Sequence, residues 1–268
     1  MPGRLRQYVR GLICCLSGLK LKVVIYIPTT RQSFHLPEVM HYGTCFFGYD
    51  PLENQYKVLF LSSDYKKQAC QVFTLGDPTT KQWRKLQGVG SHHVPFEGVV
   101  CINGAIYYRG ETTTSYKSST SRYKLMSFDV RSEKIYHVEA PKTFTDDIST
   151  LVNYQGKLGF VYCEKNIEIW VMKDAEKETQ GWSRIFFYKM QGFQNWCILD
   201  ATRGGEIVLG KRRYLYECEL LRVLYYDPKR NSIRCVNLEG TLPKDKRRYD
   251  FTSIWTVPDH VENTMCLY

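Results

Sequence analysis

The sequence predicts an all-β protein of the β-propeller kind, built from five to six small antiparallel sheets in kelch-type repeats of about 50 residues. Three observations support this fold class. Aromatic residues make up 14% of the chain, with 20 Tyr and 13 Phe, and such residues suit half-buried strands. A turn pattern recurs at nearly constant steps, and a glycine that opens a strand-like run recurs beside it.

The recurring turn follows a strand that ends in an apolar residue. It usually starts with Asp, often continues with Pro, and leads through polar residues into the next strand. Asp can hydrogen-bond to the turn backbone and Pro fixes a favourable φ. The turns span residues 27–32, 77–82, 129–134, 174–180 and 227–232, and their first residues are 50, 52, 45 and 53 positions apart. Another turn at 49–56 fits the order of elements but not the spacing, and is interpreted as an additional hairpin.

The second marker is a glycine 16 to 25 residues before a turn: Gly11, Gly104, Gly156 and Gly205. Together the markers indicate sheets of three or four strands, which are too small to bury their own faces and must pack side by side around an axis. No segment is typical of a long helix, and residues 173–181 have room for a turn or two at most.

The net charge of +10 is concentrated near the start of the chain. Residues 1–37 contain six Lys or Arg and no acidic residue, whereas the rest contain 31 basic and 27 acidic residues. We therefore predict a basic segment at 1–10 and one domain at 11–268. Residues 1–19 also place apolar residues at helical spacing, which would suit a transit peptide or basic amphipathic helix. A strand at 12–16 fits the glycine pattern better.

The ten cysteines are scattered, with no C-x-x-C spacing and no glycosylation sequon. This favours a reducing compartment, so we expect a cytoplasmic or nuclear protein. The longest apolar run is too short to span a membrane, and no membrane partner is expected. Four cysteines in strand-like runs are predicted to lie in the core: Cys101, Cys163, Cys197 and Cys235.

No segment has the pattern of a catalytic, cofactor or metal site, so none is assigned. Zinc sites need paired Cys or His ligands, and the nearest approach is Cys70, His92, His93 and Cys101. A surface loop suits the two histidines better, since they lie between Gly90 and Pro95. The glycines at 88–90 and 204–205 are interpreted as loop and hairpin, and the carboxylates at 146–147 as part of a loop. No G-x-S-x-G motif occurs.

Two basic clusters, at 211–213 and 244–248, have tyrosines nearby that could stack on nucleic-acid bases: Tyr214, Tyr216 and Tyr249. Both clusters flank turn-like breaks, so charged loops are favoured over nucleic-acid binding. Four tryptophans recur at strand positions and are expected in the core: Trp83, Trp170, Trp182 and Trp255. Any that is exposed would become an anchor for a protein partner.

Several sequence blocks, in this order, resemble the F-box associated domain of plant F-box proteins, a family similar in style to kelch propellers. The resemblance covers about residues 11–240, and the blocks span residues 47–51, 55–59, 72–76, 83–84, 103–108, 127–134, 151–158, 169–172 and 225–228. The chain departs from the family at Ile27, where Asn is usual. The missing side chain removes a turn hydrogen bond, so we expect a looser first repeat.

The resemblance implies a protein–protein interaction module: the substrate-recognition part of an SCF-type ubiquitin ligase. In that family an F-box docks on a Skp adaptor while the associated domain holds the protein to be ubiquitinated. No F-box is recognisable here, and residues 35–38, which echo its opening, are predicted to end a strand. We expect no cofactor and an unidentified substrate protein as partner, with no binding residues assigned. The alternatives are a propeller enzyme acting on glycans and a phosphate- or nucleic-acid-binding module.

Overall fold

The computed structural model contains twenty β-strands, and none of the residues it describes lies in an α-helix. The described residues are 5–17, 22–39, 42–63, 69–77, 81–86, 93–111, 123–141, 144, 149–163, 166–173, 181–189, 196–211, 221–238, 257 and 259–263. Across these ranges no helix is long and apolar enough to cross a membrane. The predicted all-β class is confirmed, with five sheets.

The chain forms two compact units, and residues 1–146 with 260–268 make up the first. This unit contains three four-stranded antiparallel sheets, each with its strands in chain order. The strands of the first sheet are β1 (Leu5–Val9), β2 (Leu12–Ser17), β3 (Lys22–Ile27) and β4 (Gln32–His35). Those of the second are β5 (Gly43–Asp50), β6 (Gln55–Ser62), β7 (Cys70–Thr74) and β8 (Arg84–Lys85). Those of the third are β9 (Val94–Ile102), β10 (Ala105–Glu111), β11 (Tyr123–Asp129) and β12 (Ile135–Val138).

The second unit, residues 147–259, contains two sheets of the same design. Its first sheet consists of β13 (Ser149–Tyr154), β14 (Lys157–Cys163), β15 (Asn166–Met172) and β16 (Trp182–Lys189). Its other sheet consists of β17 (Trp196–Ala201), β18 (Ile207–Lys211), β19 (Leu221–Asp227) and β20 (Ser232–Leu238). Aromatic rings join the two, since Phe186 and Tyr188 of β16 each lie 5.6 Å from the ring of Tyr226 on β19.

The predicted turn repeat corresponds to one position in the sheet, the connection from third to fourth strand. The turns at 27–32, 129–134 and 227–232 lie there. So do 77–82 and 174–180, although residues 78–80 and 174–180 lie outside the described part. The Asp side chains act as predicted: the backbone N–H of Ser132 donates to Asp129 at 2.6 Å, and that of Lys229 donates to Asp227 at 2.9 Å.

The glycine marker corresponds to the connection from first to second strand. In three sheets it is a two-residue turn with both φ angles positive, formed by Arg10-Gly11, Asn103-Gly104 and Gln155-Gly156. Such turns match the twist of the flanking strands. The turn at 49–56 joins β5 to β6 as a hairpin, as interpreted from the sequence. It is not additional to the repeat, because it is the connection from first to second strand in the second sheet. An Asp-Pro turn replaces the glycine turn in this sheet, which explains its irregular spacing.

The chain start is strand rather than helix. β2 occupies Leu12–Ser17, so the predicted strand is confirmed and the amphipathic helix is excluded for residues 5–17. β1 pairs along its whole length with β2, and it lies within the segment 1–10 that the charge pattern set apart. β4 ends at His35, as predicted.

In the first unit, the side chain of Gln7 joins two sheets. Its Nε2 donates to the carbonyl of Cys45, and the N–H of Phe47 donates to its Oε1, both at 2.7 Å. Gln7 is buried, so the amide satisfies two strand groups that water cannot reach. Apolar side chains from both sheets, among them Leu12, Ile25 and Phe60, fill the space around it.

The core prediction for cysteines holds only in part. All described cysteines are free thiols. Cys163 is buried, whereas Cys101 and Cys197 are half-buried. Cys235 is exposed, so its placement in the core was wrong. It lies on β20, which ends its sheet, and its side chain faces solvent.

Candidate protein-recognition surface

Hairpin turns of the three sheets in the first unit meet at one end of the strands. Gln7 pairs with β5 two to five residues before the turns that follow β1 and β5. In the same way the N–H of Tyr49 donates to Cys101 Sγ at 3.4 Å, just before the turns that follow β5 and β9. We call the group of side chains at this end the turn surface: Tyr8, Arg10, Tyr49, Leu52, Arg131 and His260.

Arginine and tyrosine side chains stack at the centre of the turn surface. The guanidinium carbon of Arg10 lies 4.9 Å from the ring centroid of Tyr49, within cation–π distance. Tyr49 packs 4.7 Å from Tyr56 and donates its hydroxyl to Asn54 at 2.7 Å. Burial raises the pKa of Tyr56 to about 12. Its phenol therefore stays protonated at neutral pH and donates to the carbonyl of Arg10 at 2.9 Å.

An ion pair fixes the part of the turn surface that carries Leu52. Asp50 is buried and accepts two hydrogen bonds from Arg131, at 2.8 and 2.9 Å. It also accepts the N–H of Leu52 at 2.9 Å. The hydrogen bonds from Arg131 hold the pKa of the Asp50 carboxyl below its ordinary value. The Leu52 side chain remains 79% exposed. Its backbone is already fixed by the hydrogen bond to Asp50.

A second ionic cluster lies on the neighbouring strands. Glu133 accepts hydrogen bonds from Lys57 at 2.9 Å and from Arg84 at 2.6 and 2.8 Å. Burial opposes ionisation of Glu133, but these hydrogen bonds and the two positive charges outweigh it and lower the pKa. Glu133 and Asp50 are therefore both ionised at neutral pH. Neither retains a proton that it could deliver as a general acid.

The segment 260–263, which belongs to the first unit, contacts the first hairpin. The N–H of Val261 donates to the Tyr8 hydroxyl at 2.6 Å, and His260 packs 5.6 Å from the Tyr8 ring. Asn263 donates from Nδ2 to the carbonyl of Arg10 and to the Tyr56 hydroxyl, both at 2.8 Å. The C-terminal part of the chain thereby contributes to the turn surface and holds its tyrosines in place.

The turn surface has the composition of a protein-binding site. Tyrosine and arginine concentrate binding energy in interfaces, and an exposed leucine supplies apolar area at their edge. Hydrogen bonds hold the side chains of Tyr8, Tyr49 and Arg131 before binding. Less conformational entropy is therefore lost when these side chains contact a partner. The sequence did contain one signal for this surface that was missed: Leu52 is a large apolar residue within a polar turn, which is unusual for a turn that only faces solvent.

The structure corrects one histidine prediction. His93 is buried rather than on a surface loop. One of its ring nitrogens lies 2.9 Å from the Tyr108 hydroxyl, a contact that requires the long-range pairing of the third sheet. In the described part of the chain no group of three or more His, Cys, Asp or Glu could hold a metal ion. Gly205 lies in the hairpin between β17 and β18, with φ of +91°, as predicted.

Three tryptophans are half-buried and none of these is a free anchor. Trp83 donates from Nε1 to the carbonyl of Pro37 at 2.8 Å and packs on Phe73. Trp170 and Trp182 both pack against Phe160 in the second unit. Some predicted residues lie outside the described part: His92, the pair at 146–147, Tyr214, Tyr216, the cluster at 244–248, Tyr249 and Trp255.

One carboxylate of the second unit differs from those near the turn surface. Burial raises the pKa of Asp200 to about 6, and the nearby charge of Asp259 adds to the rise. Asp200 accepts the N–H of Ala201 at 2.8 Å, which opposes the rise. Asp259 accepts the N–H of Arg203 at 2.5 Å. The charge of Asp259 therefore adds to the effect of burial in disfavouring the ionised form of Asp200.

The chain matches one family model, described as an F-box associated beta propeller domain, over residues 2–261. A protein of Arabidopsis thaliana with the provisional name of an F-box protein is 52% identical over 250 residues, which cover 92% of this chain and 66% of that protein. An F-box protein of the same plant is 38% identical over 295 residues, which cover 100% of this chain and 67% of that protein. The chain thus spans about two thirds of the length of these relatives.

Solved structures show only a distant likeness. An acylaminoacyl peptidase of Pyrococcus horikoshii matches with a TM-score of 0.49 and 13% identity, over 84% of this chain and 38% of that protein. The β-propeller domain of a Swd1 protein from Myceliophteria thermophila matches with a TM-score of 0.47 and 10% identity, over 89% of this chain and 88% of that domain. At these values neither match bears on function.

Proposed function

Because the chain belongs to the F-box associated β-propeller family, we propose that it is a protein-recognition module, the part of an F-box protein that holds the substrate of an SCF-type ubiquitin ligase. The relatives named as F-box proteins support the ligase role. The observation that carries the recognition role is the turn surface, where Arg10, Tyr49 and Leu52 stand on a hydrogen-bonded backbone.

The proposed role is non-enzymatic. A glycan-cleaving enzyme needs a carboxyl group that stays protonated beside one that is ionised. Of the carboxylates near the turn surface, Asp50 and Glu133 are paired with arginine and lysine partners, so neither meets this requirement. Asp200, whose pKa is raised mainly by burial, belongs to the second unit and is not part of the turn surface. The free thiols of the described cysteines support action in the cytoplasm or nucleus.

Proximity labelling in plant cells tests the recognition role, with the full chain fused to the labelling enzyme. Arg10→Glu and Leu52→Glu alter the turn surface, whereas Lys124→Glu changes an exposed side chain on β11 of the same unit and serves as control. We expect a partner whose labelling falls about tenfold or more with both turn variants, since loss of an anchor costs at least 1.4 kcal/mol. Lys124→Glu should retain it.

Equal labelling by all four proteins would contradict this assignment of the binding surface. The ligase role has its own readout. Recovery of a Skp adaptor together with the partner supports the ligase role. Recovery of a partner without any Skp adaptor contradicts the ligase role and supports a recognition module that acts without the ligase.

A further inference from the structure

The fourth strand of each sheet has one edge with no described strand beside it. Such an edge exposes backbone N–H and C=O groups that can pair with another chain, and proteins normally protect it by short length, charge or irregularity. β4 and β12 have four residues each, and β8 has two, both basic. β20 has seven residues, among them Ser232, Arg234 and Asn237.

β16 differs from the other four. It has eight residues, of which four are aromatic: Trp182, Phe186, Phe187 and Tyr188. Phe186 and Tyr188 pack inward against Tyr226, but Phe187 is 50% exposed and Ile185 is 46% exposed. β16 is therefore a long and largely apolar outer strand, and no described strand pairs with its outer edge. Arg184 and one β-bulge give this edge only part of the usual protection.

A β-bulge arranges the exposed side chains of β16. Ile169 pairs with Phe186 and Trp170 pairs with Arg184, which leaves Ile185 as the extra residue. Without the bulge, Arg184 and Phe187 would lie on opposite faces, because side chains alternate along a strand. With it they share one face, and the guanidinium carbon of Arg184 lies 5.5 Å from the Phe187 ring centroid and 6.0 Å from that of Trp170.

The charge beside this face favours an acidic ligand. Arg184 is half-exposed, and its Nη1 lies 4.0 Å from Glu168 Oε2, an oxygen that also accepts the Trp170 indole N–H at 3.1 Å. At that distance, and with the Arg184 side chain 52% exposed to solvent, the ion pair contributes little. A second carboxylate can therefore approach the outer side of Arg184, while an apolar side chain covers Phe187.

We propose that β16 docks an extended segment of a partner protein, which adds as a fifth strand and presents apolar and acidic side chains to Phe187 and Arg184. The free strand edge selects an extended backbone, and the shared face selects the side chains. This inference rests on the proposed recognition function but uses the second unit alone, so it is independent of the turn surface.

A focused peptide library tests the proposal by fluorescence anisotropy with the full chain. The peptides have eight residues: alternate positions are Val, Ile, Asp or Glu, and the others are Thr. We expect the peptides that bind to contain both an acidic and an apolar residue. Phe187→Glu and Arg184→Glu should weaken binding about tenfold or more, whereas Ile233→Glu, on the outer strand β20, should leave it unchanged.

Backbone methylation distinguishes strand addition from other binding. In an added strand, alternate N–H groups point toward β16. Methylating one alternate set of peptide nitrogens should weaken binding about tenfold, and methylating the other set should have little effect. Circular dichroism checks that each variant folds, and Arg184→Gln replaces Arg184→Glu if the latter does not.

Three results would overturn the proposal: no peptide binds, binding survives Phe187→Glu, or both methylated sets behave alike. The Leu52→Glu variant separates this proposal from the function proposed above. Leu52→Glu should lose labelling of the partner but bind the peptides normally. If the unaltered chain labels a partner through the turn surface but binds no peptide, only the β16 proposal is overturned.

Discussion

At the residue scale, a buried ionic group makes the first unit sensitive to the loss of its partner. Lys57 is buried, and its ammonium group is paired with Glu133. Glu133→Gln would leave that charge without its carboxylate, and we expect the free energy of unfolding to fall by about 2–4 kcal/mol. Urea unfolding at pH 7 measures the change.

A matched carboxylate provides the control. Glu53 is exposed and lies 3.9 Å from Arg131, so Glu53→Gln should change stability by less than about 0.5 kcal/mol. Similar losses in the two variants would show that burial of the Lys57 pair has no special energetic weight.

Asp200 makes the free energy of unfolding depend on pH, with the sign opposite to that of a carboxyl whose pKa is lowered on folding. Its pKa of about 6 in the folded protein exceeds the value of about 3.9 in unfolded chains. The folded state therefore binds more protons between these values, and stability falls as pH rises through that window. Asp200→Asn should raise the free energy of unfolding by about 1–3 kcal/mol at pH 7 and have little effect below pH 4.

Urea unfolding at several pH values measures this difference. Asp259→Asn should give a smaller gain in the same direction, because its charge is a minor cause of the pKa shift. An equal effect of Asp200→Asn at pH 4 and pH 7 would contradict a titration origin.

At the residue scale, local chemistry was predictable and long-range pairing was not. Asp129 and Asp227 were expected to bond to their own turns, and both do so, because the donor lies two or three residues away. The pairs Asp50–Arg131 and Lys57–Glu133 join residues 81 and 76 positions apart. Nothing in a single sequence specifies such partners.

At the scale of elements, two-residue turns were recognisable because only certain residues tolerate their backbone. Gly11 and Gly156 occupy the second position of such turns, with φ of +87° and +83°. Their surroundings differ. A Cβ on Gly156 would have no atom within 4 Å, whereas one on Gly11 would lie 2.4 Å from Asn263 Cβ and 2.7 Å from the carbonyl oxygen of Val261.

Alanine at these positions separates backbone strain from crowding. Gly156→Ala should lower the free energy of unfolding by about 1 kcal/mol, because alanine strains the backbone at positive φ and meets no crowding there. Gly11→Ala should cost about 2 kcal/mol or more, because the segment 260–263 must also move. Thermal and urea unfolding measure the stability of both variants. Equal losses would show that this segment moves aside without an energetic penalty.

The β16 bulge shows what element-level patterns could not reveal. The run from Trp182 to Lys189 was recognisable as strand from its aromatic residues. One extra residue, Ile185, changes which side chains share a face, and no sequence signal marks a bulge. The exposed pair of Arg184 and Phe187 was therefore not predictable.

For the whole molecule, the repeat predicted five to six sheets, and the described residues form five, because the turn recurs once in each. The position of the turn within the sheet remained open, since three- and four-stranded sheets have similar periods. The turn surface was also out of reach. It combines residues from β1, β5 and the turns that follow them, the β11–β12 turn and the segment 260–263, and only folding brings them together.

Residue Asn263 fastens the end of the described chain to its beginning. Asn263→Ala removes the Nδ2 hydrogen bonds to the Arg10 carbonyl and the Tyr56 hydroxyl, with an expected loss of about 1–2 kcal/mol. Hydrogen exchange at the Val261 amide, which bonds to Tyr8, should accelerate. Glu262→Ala, an exposed neighbour, is the control, and unchanged exchange in Asn263→Ala would exclude this anchoring role.

The bridge formed by Gln7 has a consequence for how chains of this kind diversify. One amide side chain donates one hydrogen bond and accepts another, and these two bonds connect β1 to β5, although the strands belong to separate sheets. A single codon therefore decides whether this attachment exists, whereas a strand ladder depends on many. A mutation can create or remove this connection while each sheet keeps its internal pairing. Evolution can therefore change how the two sheets are attached without changing either sheet.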